Sequence, residues 1–241
     1  MEGLTFEGKG QINPLIPKPE PFRQKIPPSP SKKKVIVIAG PTASGKTALS
    51  LELSRLLDGE IISADSIQVY RGMDIGTAKA TKEERLEIPH HLIDTCDLCE
   101  NFNVVQFCQR AQSTIKEILK RDKVPIIVGG TGFYLHALIY GPPKGPAASP
   151  EIRQKISSEI ERLGTEALYD KLCHYDPDYA ETISNRDKQK VIRALEIISL
   201  TGKKVTDFPK GREEEQTKEF DFLCWFVHFP REILYPQIEM R

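Results

Sequence analysis

Residues 40 to 47 read Gly40-Pro41-Thr42-Ala43-Ser44-Gly45-Lys46-Thr47, the spacing G-x-x-x-x-G-K-T, between a β-branched run (Val35 to Ala39) and a helical leucine pattern. A strand before and a helix after turn this motif into a phosphate-binding loop. Its glycines let backbone N–H groups converge on phosphate oxygens, Lys46 adds a movable positive charge, and the helix N-terminus adds its dipole. The Thr47 hydroxyl is suited to ligate Mg²⁺. A glycine turn that only joined strand to helix would have no use for Lys46 and Thr47. The loop specifies a polyphosphate without saying which one.

The 241 residues suffice for one large domain, or a core with a smaller insert. Lys plus Arg number 34, and so do Asp plus Glu. No global positive field announces a nucleic acid, so any such contact must use a local basic face. No stretch approaches the roughly 20 apolar residues of a membrane span, and the N-terminus lacks a secretory signal pattern, so a cytoplasmic protein is expected. Cys96, Cys99, Cys108, Cys173 and Cys224 form an odd, scattered set, which fits free thiols rather than a disulfide framework. Cys96-Asp97-Leu98-Cys99 lies downstream of His90 and His91, but no second pair stands at a zinc-ribbon spacing, and an ordinary loop is expected there.

Residues 1 to 34 hold seven prolines and end in Lys32-Lys33-Lys34 without apolar periodicity, the signature of a disordered leader. An organellar transit peptide is the rival reading, against which Glu2, Glu7 and Glu20 speak. From residue 35 strands and helices alternate. Val35 to Ala39, Glu60 to Ala64, Val124 to Gly129 and Phe222 to Phe229 read as strands. Leu49, Leu53, Leu56 and Leu57 recur at helical spacing after the loop, and Asn103 caps a helix from Val104 to Arg121. Such alternation predicts an α/β fold, a P-loop NTPase-like parallel sheet with ligands at the carboxyl ends of its strands. After the linker Gly141 to Pro146 three helix patterns follow without a strand, at 150–163, 165–174 and 187–201. The expected organisation is a leader (1–34), a first part of the core (35–141), a helical insertion (142–212) and a return to the core (213–241). A helical pattern beginning at Arg231 stops at Arg241, so the last crossover is short and a missing C-terminal part is expected.

Asp65 follows the second strand, where a carboxylate beside the phosphate loop can hold Mg²⁺ or accept a proton from a nucleophile; a turn cap is the alternative. The third strand ends in Gly129-Gly130-Thr131-Gly132 rather than an acid, which counts against nucleotide hydrolysis as the purpose. Its glycines suit either close approach to a ligand or a tight strand-to-helix turn. In the loop Tyr70 to Lys79, Arg71, Thr77 and Lys79 are candidate anion binders, whereas the pair His90-His91 reads as structural. Arg186, Lys188, Lys190 and Arg193 cluster around Gln189; they form a solvated face or grip a nucleic-acid backbone.

Gly40 to Thr47, Ser63-Ala64-Asp65-Ser66-Ile67-Gln68 running on to Lys79, Pro89 to Asp94, Val128 to Gly132 and Arg193-Ala194-Leu195-Glu196 together resemble the tRNA dimethylallyltransferase family. The likeness is ordered along the chain from about 35 to 241. It implies transfer of a dimethylallyl group from dimethylallyl diphosphate to N6 of the adenosine 3′ of the tRNA anticodon. It further implies Gly40, Pro41, Thr42, Ala43, Ser44, Gly45, Lys46 and Thr47 as the diphosphate site, with Mg²⁺ on Thr47. Asp65, Lys46 and Thr131 are implied as catalytic, and Asp65, Ser66, Ile67, Gln68, Thr131, Arg153, Gln189, Lys190, Val191, Ile192 and Arg193 as tRNA contacts. A monomer is expected. The resemblance also implies a C-terminal segment beyond Arg241 and has no counterpart for the leader. Two other readings are a small-molecule kinase, with ATP in the loop, and an inactive RNA-binding remnant.

Overall fold

The computed structural model describes residues 33–209 and 219–240. The reading of 1–34 as a leader therefore lies outside the described residues, apart from Lys33 and Lys34, which open the first strand. Five strands, β1 (Lys33–Ala39), β2 (Gly59–Ser63), β3 (His90–His91), β4 (Val124–Gly129) and β5 (Phe220–Phe226), form one parallel sheet in the order β3-β2-β4-β1-β5. The central strands are apolar on both faces because helices cover both: Val35 to Ile38, Ile61, Ile62, Ile126 and Ile127 are buried. The edge strand β5 differs. It pairs with β1, yet Leu223, Trp225 and Phe226 remain exposed.

Helix α1 (Lys46–Leu57) corrects the sequence reading. Leu49, Leu56 and Leu57 are exposed, and of that leucine set only Leu53 packs on the sheet. The face α1 buries carries Ser50, Leu51 and Ser54. Ser50 Oγ donates to Thr47 O at 2.8 Å and Ser54 Oγ to Ser50 O at 2.8 Å. With their hydroxyls satisfied inside the helix, small serines pack without cost against the sheet, and a hydropathy stripe misses them. The helix α2 (Lys82–Glu87) begins with a capping box between Thr81 and Glu84.

Helix α3 (Val104–Lys120) buries one clear stripe, Val104, Phe107, Cys108, Ala111, Ile115 and Ile118, and Asn103 caps it through Val105 N and Gln106 N. Against α3 packs α4 (Gly132–Tyr140), with Tyr134 stacked on Phe107 at 4.6 Å between ring centroids. Glu60 of β2 is buried and tied to Arg121 Nη2 at 2.7 Å and to His91 Nε2 at 2.7 Å, which ties the end of α3 and the edge strand β3 to β2. Burial opposes its ionisation, but these hydrogen bonds hold the carboxyl below its ordinary range.

The helices α5 (Pro150–Leu163), α6 (Thr165–Tyr175), α7 (Pro177–Ala180) and α8 (Lys188–Thr201) close on a core of their own around Ile156, Ile160, Leu168, Leu172, Val191 and Leu195. Ser149 caps α5 ahead of Pro150, and Gly202 ends α8 in the left-handed conformation at φ 67°. Asp176, fully buried, accepts from Tyr179 N, Thr206 N and Thr206 Oγ1, clasping the 3₁₀ turn Val205–Asp207 onto α7. Beyond β5, α9 (Arg231–Glu239) follows, with Pro236 inside it.

Candidate active site

Register brings the site together. Ala39 pairs with Gly129 and Ser63 with Val128, while Ala64 N donates to Val128 O at 2.8 Å. The carboxyl ends of β1, β2 and β4 therefore share one edge, and the phosphate loop, Asp65 and Gly130 emerge side by side. Gly129 makes this possible, since a Cβ there would lie 2.2 Å from Ala64 O. The glycine thus permits close approach of the chain after β2, and Gly129 and Gly130 also line the cavity described below.

Gly45 precedes α1 with φ 78°, and no side chain caps the helix, so the N–H groups of its first turn face the loop. Lys46 Nζ donates to Pro41 O at 2.5 Å. Ser44 Oγ is buried without a partner among the described residues, a polar atom left over inside the loop. Thr42, Lys46, Thr47, Asp65 and Gln68 line a cavity of about 480 Å³ together with apolar groups that include Ile61, Ile67, Ala80, Ile93 and Val128.

Asp65 is a turn cap by its contacts and a cavity residue by its position. Its Oδ1 accepts from Ile67 N at 2.8 Å and Gln68 N at 3.2 Å, capping the turn, and the residue also lines the cavity. Thr131 stands just outside the lining. Its Oγ1 accepts from Ser66 N at 3.1 Å and joins the turn after β2 to the turn after β4. Gln68 is engaged as a latch: its Oε1 accepts from Ser63 Oγ at 3.0 Å and its Nε2 donates to Thr77 O at 3.0 Å.

In the loop 70–79 Thr77 lines the cavity, whereas Lys79 and Arg71 are engaged within the fold. Lys79, its side chain 2 % exposed, donates to Tyr70 O, Asp74 Oδ1 and Asp94 Oδ1 at 2.6, 2.9 and 2.6 Å, so it builds the loop instead of receiving an anion. Lys79 and Arg85 hold the Asp94 carboxyl below its usual range against the opposing effect of burial. Arg71 pairs with Asp97 at 2.6 Å, and the Thr77 hydroxyl donates to Met73 O. The histidine pair is structural in its contacts, His91 through Glu60 and His90 through Ile88 O, although His90 also borders the cavity.

Arg153, Gln189, Lys190, Val191, Ile192 and Arg193 sit in the helical unit, outside the cavity lining. Gln189 and Lys190 are exposed. Val191 is a correction: it is fully buried in the helical core, so its side chain has no surface to offer to RNA. Sequence reasoning assigned no role to Glu196, which is fully buried and accepts from Arg153, Arg193 and Ser149 N. An acid bracketed by the apolar Leu195 and Ile197 was the available signal. Among the described residues no three His, Cys, Asp or Glu side chains converge as a metal site, and no helix is long and apolar enough to cross a membrane.

The family model described as IPP transferase matches residues 68–241. The tRNA dimethylallyltransferase of Protochlamydia amoebophila (strain UWE25) is 60% identical over 212 residues, covering 88% of this chain and 61% of that protein. The full-length tRNA isopentenylpyrophosphate transferase of Bacillus halodurans shares 42% identity, with TM-score 0.54 over 87% of this chain and 64% of that one. A eukaryotic dimethylallyltransferase acting on tRNA superposes with TM-score 0.69 at 32% identity, over 86% of this chain and 51% of that one. The chain spans about 61% of the length of such a curated relative. With its phosphate loop, its carboxylate and its helical unit in one parallel α/β framework, the chain belongs to the IPP transferase family.

Proposed function

We propose that the chain carries out dimethylallyl transfer from dimethylallyl diphosphate to N6 of the adenosine 3′ of the tRNA anticodon, as a cytoplasmic monomer. The observation that carries this reading is the meeting of the phosphate loop and Asp65 on one cavity that also has apolar walls. A nucleotide kinase site has no need of Ile61, Ile67 and Val128 beside its phosphates, whereas a five-carbon chain does.

The N6 amine is a weak nucleophile because its lone pair is delocalised into the ring. As the C–N bond forms and the C–O bond to diphosphate breaks, Asp65 takes the N6 proton, and the diphosphate leaves with the bonding electrons. Lys46 and the N–H groups at the start of α1 meet the negative charge as it grows on the leaving group, and they do most where that charge is largest. The partnerless Ser44 hydroxyl and the exposed Thr47 hydroxyl give this cradle hard oxygen donors that suit Mg²⁺. When bound, the ion would supply further positive charge to the diphosphate. The target base must leave its stack to reach a site recessed at the sheet edge. The basic residues of the helical unit, Arg153, Lys188 and Lys190 among them, are read as holding the RNA backbone.

The test is incubation with radiolabelled dimethylallyl diphosphate and an adenosine-containing anticodon stem-loop, with γ-labelled ATP and a small alcohol in parallel. Label reaching the RNA from the prenyl donor supports the proposal. Phosphate reaching the alcohol replaces it with a kinase, and RNA retention without transfer replaces it with an RNA-binding protein.

A further inference from the structure

Glu196 lies fully buried in α8, and its carboxylate gathers three donors from three places. Ser149 N donates to Oε1 at 2.7 Å, Arg193 Nη1 to Oε2 at 2.6 Å, and Arg153 Nε to both oxygens at 3.0 Å. The burial of the carboxylate is opposed and outweighed by these hydrogen bonds, which keep it ionised. The two arginines are used differently. Arg193 turns both terminal amino groups inward, Nη1 to Glu196 and Nη2 to Pro146 O at 2.7 Å, fastening the linker that enters the helical unit. Arg153 spends only Nε. Among the described residues neither of its terminal amino groups takes a hydrogen bond, and its side chain is 46 % exposed.

We propose that Glu196 is a positioning residue for RNA: by gripping Arg153 at Nε it aims the two terminal amino groups of that guanidinium at a backbone phosphate of the anticodon stem-loop. The inference rests on the RNA-binding reading of the helical unit. A guanidinium already held at one nitrogen loses less rotational freedom when its remaining fork closes on a phosphate, and the paired N–H···O geometry is lost if the grip is released. A buried negative charge beside a phosphate contact would otherwise be a liability, so its sign separates this role from simple electrostatics.

The test is a fluorescence-anisotropy titration of a labelled anticodon stem-loop with the wild-type protein, Glu196→Gln, Arg153→Ala, Arg153→Lys and the double variant Glu196→Gln/Arg153→Ala. Glu196→Gln should weaken binding about tenfold, the loss of one charge-assisted contact. The double variant should bind no more weakly than Arg153→Ala, because both changes remove the same contact. Arg153→Lys sits on an exposed side chain that the fold tolerates; it keeps the charge but has no Nε to grip and should lose a similar factor. Diphosphate binding at the loop should not change in any variant. Equal or tighter RNA binding by Glu196→Gln, an additive double variant, or wild-type affinity in Arg153→Lys would each overturn the inference while leaving the RNA reading intact. Failure of the wild-type protein to bind the stem-loop would overturn the RNA reading itself, and the inference with it.

Discussion

Asp65 caps a turn and is proposed to accept a proton with the same carboxylate, so the choice of substitution decides what is learned. Asparagine keeps an oxygen to cap Ile67 N and Gln68 N but accepts no proton; alanine removes both. Asp65→Asn should therefore lower prenyl transfer by about 10²- to 10⁴-fold while diphosphate affinity, measured by equilibrium dialysis, stays near wild type. A parallel loss of affinity would assign Asp65 to organising the ion instead. Lys46→Ala should weaken donor binding and slow transfer together, since on the proposed mechanism its charge meets the diphosphate before and during departure. Chemical type and spacing were enough to place both residues at the cavity from the sequence. Lys79 was out of reach by the same means, because Asp94 and the Tyr70 carbonyl, which consume its charge, become its neighbours only when the chain is folded.

Among elements, the strand ends bring the loop and Asp65 to one edge, and α5 to α8 bury a cluster of their own. Gly129→Ala would force a methyl group against the Ala64 carbonyl at 2.2 Å and so push β4 away from β2, moving Asp65 from the loop. Transfer should collapse in this variant even where circular dichroism shows a folded protein. Leu172, fully buried on the inward face of α6, should cost about 2–5 kcal/mol on truncation to alanine, read by chemical denaturation. Strand β4 and the helices at 150–163 and 187–201 were legible because long periodic segments with clear caps leave little choice. The inward face of α1 was not, since its buried serines look polar in sequence, and neither was β3, whose two residues are too short for any period.

The molecule as a whole relies on ionised carboxylates that are buried or tightly bonded. Glu60, Asp94, Asp176 and Glu196 are all held below their ordinary range in the folded state, in each case by donors that outweigh burial. A depressed folded value means the unfolded chain binds protons first as pH falls. The stability these groups give is thus complete above the ordinary carboxylate range and is lost as acidification passes through their folded values. His90, kept neutral mainly by burial, acts with the same sign at higher pH, because the unfolded chain takes up its proton more readily. Thermal melts should fall steadily below about pH 6 and steeply below about pH 4, and Glu60→Gln should flatten part of the acid limb while costing about 2 kcal/mol at neutrality.

The exposed flank of β5 has an optical consequence. Trp225, the chain's single tryptophan, sits 39 % exposed on that strand, so its fluorescence comes from one edge of the sheet alone. Emission should lie toward the red while water reaches the indole and move toward the blue when another segment or molecule shields it. A quencher such as acrylamide would then report, without any label, whether that flank is dry.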